Sequence, residues 1–231
     1  FSMVTDSLPA VVAKLARELG KRAEFTVTGD DVRIDKRILE GIKDPLIHLL
    51  RNSLDHGLED EVERARRGKP AIGTIVMSIA TTQDNRIEIT LRDDGRGIGV
   101  DAVRSKAVEQ QVLTTEAARG MRDEDVRNLV FHSGLSTAEQ VTDLSGRGVG
   151  LAIVREHITA LGGEVSLRSE EGRGTSIRMV LPTSLSNTRG VLVRTSGRMY
   201  ILPLQFITRG IMLHPEDVIA VDGRQALAFE G

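Results

Sequence analysis

Cysteine and tryptophan are absent from this chain, and tyrosine occurs once. Without cysteine there is no disulfide and no thiolate zinc site, a usage that fits a reducing compartment. With aromatics at 3% of residues, the core has to be aliphatic. No apolar run approaches the length of a membrane span and no signal-peptide pattern opens the sequence, so the expectation is a cytoplasmic protein without membrane insertion. Neither sign of charge dominates, with 31 Lys and Arg against 33 Asp and Glu. That balance lacks the basic footprint of a nucleic-acid binder or a polybasic anchor, so no nucleic-acid partner is expected. What the chain does have in quantity is glycine, 23 residues in 231, and the glycines are clustered.

Residues 7–20, SLPAVVAKLARELG, form a helix pattern with Ser7 as N-cap, Gly20 as stop, and Val11, Val12, Leu15 and Leu19 inward. AEFTVTG (23–29) alternates as a strand. Asp35 begins a helical stretch, and Asp44-Pro45 has the form of a second N-cap and N1 pair that restarts it. Gly57 ends that helix, and EDEVERARRG follows as a short charged surface helix or lid. TIVMSIATT and RIEITLRD make an antiparallel hairpin, as do the strands of GEVSLRSEEGRGTSIRMVLP around the turn at residues 171–174. Between the hairpins, 95–150 is long and glycine-punctuated, and the part from about 100 to 148 reads as a mobile binding lid. GVGLAIVREHITALGG closes it with a helix in which His157 reads as structural. Residues 1–182 therefore predict an α/β sandwich, helices on one face of a mixed, largely antiparallel sheet. A polar connector at 183–189 leads into RGVLVRTSGRMYILPL, whose Ser196-Gly197 turn marks a hairpin. Residues 190–231 are short for an independent β-domain, so they predict an incomplete β-barrel segment with Val191, Leu192, Val193, Ile201 and Leu202 exposed.

Four stretches carry possible chemistry. In HLLRNSLDHG (48–57), helical spacing sets Ile42, Leu46, Leu50 and Leu54 on one side and His48, Asn52, Asp55 and His56 on the other. That polar side is either a solvated face or a set of ligands. Asn52 offers a hard, neutral oxygen suited to Mg²⁺ held mainly through phosphates, and His48 one turn earlier could reach the same metal or a terminal phosphate. DDGRGIG (93–99) follows a strand. It is either a glycine turn with a solvated Asp93, or an acceptor for an exocyclic amine such as adenine N6, with Gly95 and Gly97 letting backbone approach a flat ligand. SGRGVG (145–150) opens into a helix, as a plain junction or as an anion site of backbone amides. GRGT (172–175) is the weakest of the four, a strand turn by default.

In this order and spacing, HLLRNSLDHG, DDGRGIG, SGRGVGL and GRGT resemble the N box and three glycine boxes of the gyrase-like and histidine-kinase ATPase superfamily. More narrowly they resemble the catalytic domain of the CheA-type chemotaxis histidine kinases, through His48, Asp55-His56-Gly57 and GLSTAEQVTDLSGRGVG. The likeness covers nearly all of 8–182, and 189–204 is similar to the opening of the CheW-like regulatory domain that follows in that family. It implies a Bergerat-type ATP-binding fold with ATP and Mg²⁺ as cofactors. Asp93 would recognise adenine, buttressed by Thr175 through a hydroxyl or water, with Gly95 and Gly97 along the base. Asn52 would hold Mg²⁺ with His48 beside it, and these two form the expected catalytic pair. Gly146, Gly148 and Gly150 would border the triphosphate, Lys106 and Arg147 would contact phosphate, and Phe131 would belong to an aromatic box of the lid. Gly99 departs from the acidic or amide residue of many relatives and would loosen the first hinge of the lid. The lead-in TDSLPAVVA is also unusual.

The implied reaction is transfer of the γ-phosphoryl group of Mg-ATP to a histidine, a step that needs positioning and charge neutralisation. A neutral imidazole acceptor already has a lone pair, so His48 in place of a basic Glu favours a histidine acceptor over water. None of His48, His56, His132, His157 and His214 sits in an acceptor-helix pattern. The expected acceptor is therefore a His domain supplied in trans, from a dimeric parent, with this fragment monomeric. The further expected partners are a CheW-like coupling protein and receptors through the β-segment, and indirectly a response regulator. Two other readings remain at this point, a nucleotide-binding scaffold without catalysis and a gyrase-like ATP hydrolase.

Overall fold

The computed structural model describes residues 5–29, 31–132, 135, 151–184, 190–210, 218–221 and 224–227. In chain order the first elements are α1 (Leu8–Glu18), β1 (Ala23–Thr28), α2 (Lys36–Asn52), α3 (Glu61–Arg66), β2 (Gly73–Thr81) and β3 (Arg86–Asp93). Three short helices follow, α4 (Val100–Glu109), α5 (Thr115–Gly120) and α6 (Asp123–Asn128), then α7 (Leu151–Ala160), β4 (Glu164–Glu170) and β5 (Gly174–Pro182). The strands form one sheet in the order β1-β2-β3-β5-β4, with β1 and β2 parallel and every other pair antiparallel. This is the mixed sandwich the sequence pattern predicts.

Alternation gives the sheet its buried face. Met77, Leu91 and Ile177 lie in register across three strands, as do Ile79, Ile89 and Met179, and all six are buried. One hydrophobic cluster joins them to Leu8, Val12 and Leu15 of α1, Ile38, Ile42, Leu46, Leu49 and Leu50 of α2, and Val154 and Ile158 of α7. Polar residues such as Thr90, Arg92, Ser176 and Arg178 occupy the other face.

Helix α2 differs from expectation. Asp35 caps it, its carboxylate accepting from the Arg37 amide at 2.9 Å, but Asp44-Pro45 does not restart it. Pro45 lies buried inside one continuous helix, and Asp44 is exposed. A proline there forgoes the bond to the Gly41 carbonyl. The buried stripe of Ile38, Ile42, Leu46, Leu49 and Leu50 runs unbroken through it, and that packing outweighs one lost bond. After Asn52 the helix widens to a π-turn at Ser53–Gly57, closed by Leu58 N–H donating to the Ser53 carbonyl at 2.7 Å. Ser7, for its part, flanks α1 without capping it through its side chain.

The glycine-punctuated stretch is more built than its composition suggests. Up to Phe131 it folds as α4, α5, α6 and a 3-10 turn, Leu129–Phe131, burying Val103, Ala107, Ala118, Val126, Val130 and Phe131. Arg104 ties the helices together, donating to the Ala118 carbonyl at 2.9 Å and to Asp101 and Asp123 at 3.1 Å each. Apart from His132 and Leu135, the rest of the expected lid, including Gly146, Arg147 and Gly148, lies outside the described residues, as does Gly150. His157 is exposed on α7, not a buried structural residue, because Val154 and Ile158 take the inward positions of that helix.

The chain divides into two units, Phe1–Leu185 and Ser186–Gly231. In the second, β6 (Gly190–Thr195) pairs with β7 (Arg198–Pro203), and β8 (Val218–Val221) with β9 (Arg224–Leu227). These are two separate two-stranded antiparallel sheets, and no barrel closes among the described residues. Val191, Leu192, Ile201 and Leu202 are exposed as expected, whereas Val193 is half-buried.

Candidate functional site

Strand β3 delivers Asp93 to the edge of the core, where its side chain is only 4% exposed. Three donors meet its carboxylate. The amides of Gly95 and Thr175 reach Oδ1 at 3.1 and 3.2 Å, and Ser53 Oγ donates to Oδ2 at 3.1 Å. A carboxylate has about four lone-pair positions, so one on Oδ2 stays open among the described residues. Burial pushes the Asp93 carboxyl above its ordinary value. The three hydrogen bonds work against that rise, and the neighbouring Asp94 charge adds to it.

The residues that surround Asp93 come from four segments. Ser53 and Gly57 belong to the π-turn, so the one-residue widening after Asn52 aims the Ser53 hydroxyl at the carboxylate. Gly57 lies so close that a Cβ there would meet Asp93 Oδ2 at 3.3 Å. Thr175 contacts Asp93 through its amide rather than its hydroxyl, which is 2.9 Å from Ser169 Oγ. Ser169 in turn accepts from the Ile98 amide at 2.8 Å and donates to the Gly174 carbonyl at 3.0 Å, joining the first and third glycine stretches.

Gly95 and Gly97 make a different close approach from the one expected. A Cβ on Gly95 would fall 2.1 Å from the Gly57 carbonyl oxygen, and one on Gly97 (φ +68°) 2.1 Å from that of Glu170. Their missing side chains admit neighbouring backbone, and Arg96 N–H then donates to Gly57 O at 2.8 Å. Gly95→Ala should therefore part the two loops and cost about 2–3 kcal/mol of stability, read from urea unfolding. A midpoint unchanged from the parent protein would show that the loops relax freely.

His48 and Asn52 sit one turn apart on the last turns of α2, both half-buried. Asp55 is half-buried and His56 exposed in the π-turn, so the polar stripe divides where helical spacing stops. Lys21 closes this end of the helix. Its ammonium donates to the carbonyls of Leu54 at 2.6 Å and Leu58 at 2.8 Å, and also to that of Asp55. Burial lowers its pKa, with Asp55 the chief opposing charge. Lys106 stands half-buried on α4, and Gly99 opens that helix without a side-chain cap. Phe131 is buried with the Arg155 guanidinium 5.7 Å from its ring centre. The SGRGVG residues cannot be placed beside these, being outside the described residues.

Behind the Asp93 turn lies an ionic cluster that sequence reading placed on the surface. Arg64 is 1% exposed and Glu59 3%. Arg64 reaches Glu59 Oε2 at 3.2 Å, Asp94 at 2.8 and 3.2 Å, and the Pro70 carbonyl at 2.6 Å. Lys69 bridges Glu59 to the Asp94 and Gly95 carbonyls. Burial works to raise the Glu59 carboxyl, but its bond to Lys69 and the charges of Lys69 and Arg64 hold it below the usual range. Ser53, Lys21, Ser169 and this cluster are the site residues that motif spacing does not find.

For cation binding, the described residues hold no group of three or more His, Asp or Glu that could do it alone. Asn52 fits as a single neutral oxygen donor to an ion whose other ligands come from phosphate. No described helix is long and apolar enough to cross a membrane.

Residues 41–185 match the family described as histidine kinase-, DNA gyrase B-, and HSP90-like ATPase. The chemotaxis protein CheA of Halobacterium salinarum is 41% identical over 98% of this chain and 34% of its own length. CheA of Salmonella typhimurium is 41% identical over 95% of this chain and 32% of its own. The chain thus spans about a third of the length of the curated relatives it matches. A solved histidine kinase domain, from a blue-light activated kinase of Erythrobacter litoralis, aligns over 78% of this chain and 61% of its own at 19% identity and a TM-score of 0.47.

Proposed function

The chain belongs to the histidine kinase-, DNA gyrase B- and HSP90-like ATPase family, and from that premise we propose that it is the ATP-binding catalytic core of a CheA-type histidine kinase. The observation that carries the reading is the Asp93 carboxylate, buried, held by three donors and left with one open acceptor position. An adenine N6 amine fills that position as a donor, whereas guanine would bring a carbonyl against it. The 40%-level identity to CheA proteins across nearly the whole chain supports the narrower assignment.

In this reading Asp93 selects the base, and Thr175, Gly95 and Gly97 shape the turn that orients it. Asn52 holds Mg²⁺, with His48 beside it toward the metal or the terminal phosphate. Lys106 and Arg147 meet phosphate, and the backbone amides of Gly146, Gly148 and Gly150 border the triphosphate. Mg²⁺ held there by Asn52 would supply charge neutralisation to the phosphates. The chain's own share is positioning, since α2 is anchored by its buried stripe and Lys21 fixes the turn that follows Asn52. With His48 where a carboxylate base would activate water, the phosphoryl group goes to an imidazole on a separate domain. That acceptor comes in trans within a dimeric parent, while residues 1–231 alone are monomeric. Residues 190–231 open a CheW-like domain that engages a coupling protein and receptors, and the phosphoryl group passes on to a response regulator. The setting is cytoplasmic, where ATP is available and thiol-free chains need no oxidising compartment.

The test follows γ-labelled Mg-ATP with the acceptor domain of the parent protein, counting labelled acceptor and free phosphate together. Acid-labile label on the acceptor is expected, and Asn52→Ala should reduce it by about 10²-fold or more. Free phosphate without labelled acceptor would establish a hydrolase instead, and nucleotide binding with neither product a scaffold.

A further inference from the structure

Strand β3 ends on Asp93 with Asp94 next to it, yet only Asp93 faces the donors of Ser53, Gly95 and Thr175. Asp94 is turned away, its oxygens taken by Arg64 at 2.8 and 3.2 Å and by the Thr74 amide at 2.8 Å. The backbone between the two acids and the first glycine is held by Lys69. Its ammonium donates to the Asp94 carbonyl at 2.8 Å, the Gly95 carbonyl at 2.7 Å and Glu59 Oε1 at 2.8 Å, which uses all three protons. The Gly95 amide, in the same short backbone stretch, donates to Asp93 Oδ1 at 3.1 Å.

The placement of Lys69 is set locally. Gly68 takes φ +69° past the end of α3, and the Lys69 amide bonds back to the Arg64 carbonyl at 2.9 Å. The side chain is then carried under the turn, 16% exposed, against a buried Glu59 that fixes its head. Charge-assisted bonds at these lengths are about twice as strong as neutral ones. Here they fall on a glycine-containing turn that has little rigidity of its own.

We propose that Lys69 is the positioning residue for base selection: it fixes the backbone at 94–95, and that backbone orients the Asp93 carboxylate, without Lys69 touching the nucleotide. The inference rests on the reading of Asp93 as the adenine acceptor and adds to it the group that keeps Asp93, rather than Asp94, in the pocket. Arg64 holds Asp94 in the opposite direction, so the two cations divide the pair of acids between them.

The test measures, on the full 231-residue chain, the affinities of a non-hydrolysable ATP analogue and its guanine counterpart, with melting temperatures alongside. Lys69→Met removes the three bonds at similar volume. The preference for the adenine analogue should fall about tenfold, mostly through weaker adenine binding. If that variant fails to fold, Lys69→Gln, which keeps two N–H donors, should show the same change at smaller size. Equal weakening of both nucleotides, or an unchanged preference in a folded variant, would leave Lys69 a structural residue and overturn the inference. Asp93→Asn is the parallel control. If its preference equals that of the parent chain, the adenine reading itself falls, a result distinct from failure at Lys69.

Discussion

Replacing Asp93 by Asn should lower affinity for adenine nucleotides by about 10²–10⁴-fold while the melting temperature holds or rises. The two effects separate because they depend on different atoms. The amide oxygen of the variant still accepts from Gly95 and Thr175, and its NH₂ can donate to Ser53 Oγ, so the internal bonds have replacements. The open position then carries a donor, which meets the adenine amine donor to donor. Guanine, with a carbonyl there, loses its penalty, so the preference should narrow or invert. Titration calorimetry with both nucleotides reads this directly, and retained adenine affinity would place the base elsewhere.

The same carboxylate gives the sign of the pH dependence. Burial raises the Asp93 pKa in the folded chain. A group raised on folding contributes its stability below the unfolded value and loses it as pH rises through the folded one. At neutral pH the ionised carboxylate therefore weighs on the free protein, and Asp93→Asn removes that weight. Binding runs the other way. The adenine amine donates to the ionised form, so affinity should fall as pH drops through the raised value, and the variant should lack this dependence.

How far the sequence carried differs from residue to residue. The place of Asp93 at a strand end before a glycine turn was legible in the pattern, as was that of Asn52 on α2 opposite Ile42, Leu46 and Leu50. The mixed sheet followed from alternation in four hairpin-forming strands. Pro45 misled because N-cap and N1 statistics are local, while the continuity of α2 is decided by what its stripe packs against. Asp55 and His56 left their expected face because helical periodicity assumes a regular helix, and the π-turn breaks it. The described part of the lid stretch hid its order in a few buried residues, Val103, Ala107, Ala118 and Val126, spread over three short helices. EDEVERARRG misled most. In α3 the apolar Val62 is exposed and the charged Arg64 is buried, the reverse of the amphipathic rule. The reason, Asp94, lies thirty residues along the chain, beyond any window of periodicity.

Arg64→Ala should destabilise the first unit by about 2–3 kcal/mol, chiefly the cost of leaving the buried Glu59 with one cation fewer, since Asp94 is 38% exposed and loses less. Lys69 still answers Glu59 through Oε1, but nothing else among the described side chains reaches Asp94 Oδ2. The Pro70 and Ile72 carbonyls lose their donor as well, so the connection from α3 to β2 loosens at several points. Urea unfolding against pH provides the check. Glu59 is held below its ordinary range in the folded chain, so its share of stability is present above the unfolded value and is lost as pH falls through the folded one. In the variant the part of that share owed to the Arg64 charge is gone while the larger part owed to Lys69 remains, so the gap between the two proteins should narrow only slightly toward acid. A gap below 1 kcal/mol at neutral pH would mean that water replaces the guanidinium and that the cluster is not dry. Lys69→Met leaves Arg64 on both acids but removes the nearer cation of the buried Glu59, so a loss of stability is expected beside the change in base preference. In the proposed reading fold and selection divide at one turn: Arg64 holds Asp94 away from Asp93, and Lys69 holds the backbone that would point Asp93 at the base.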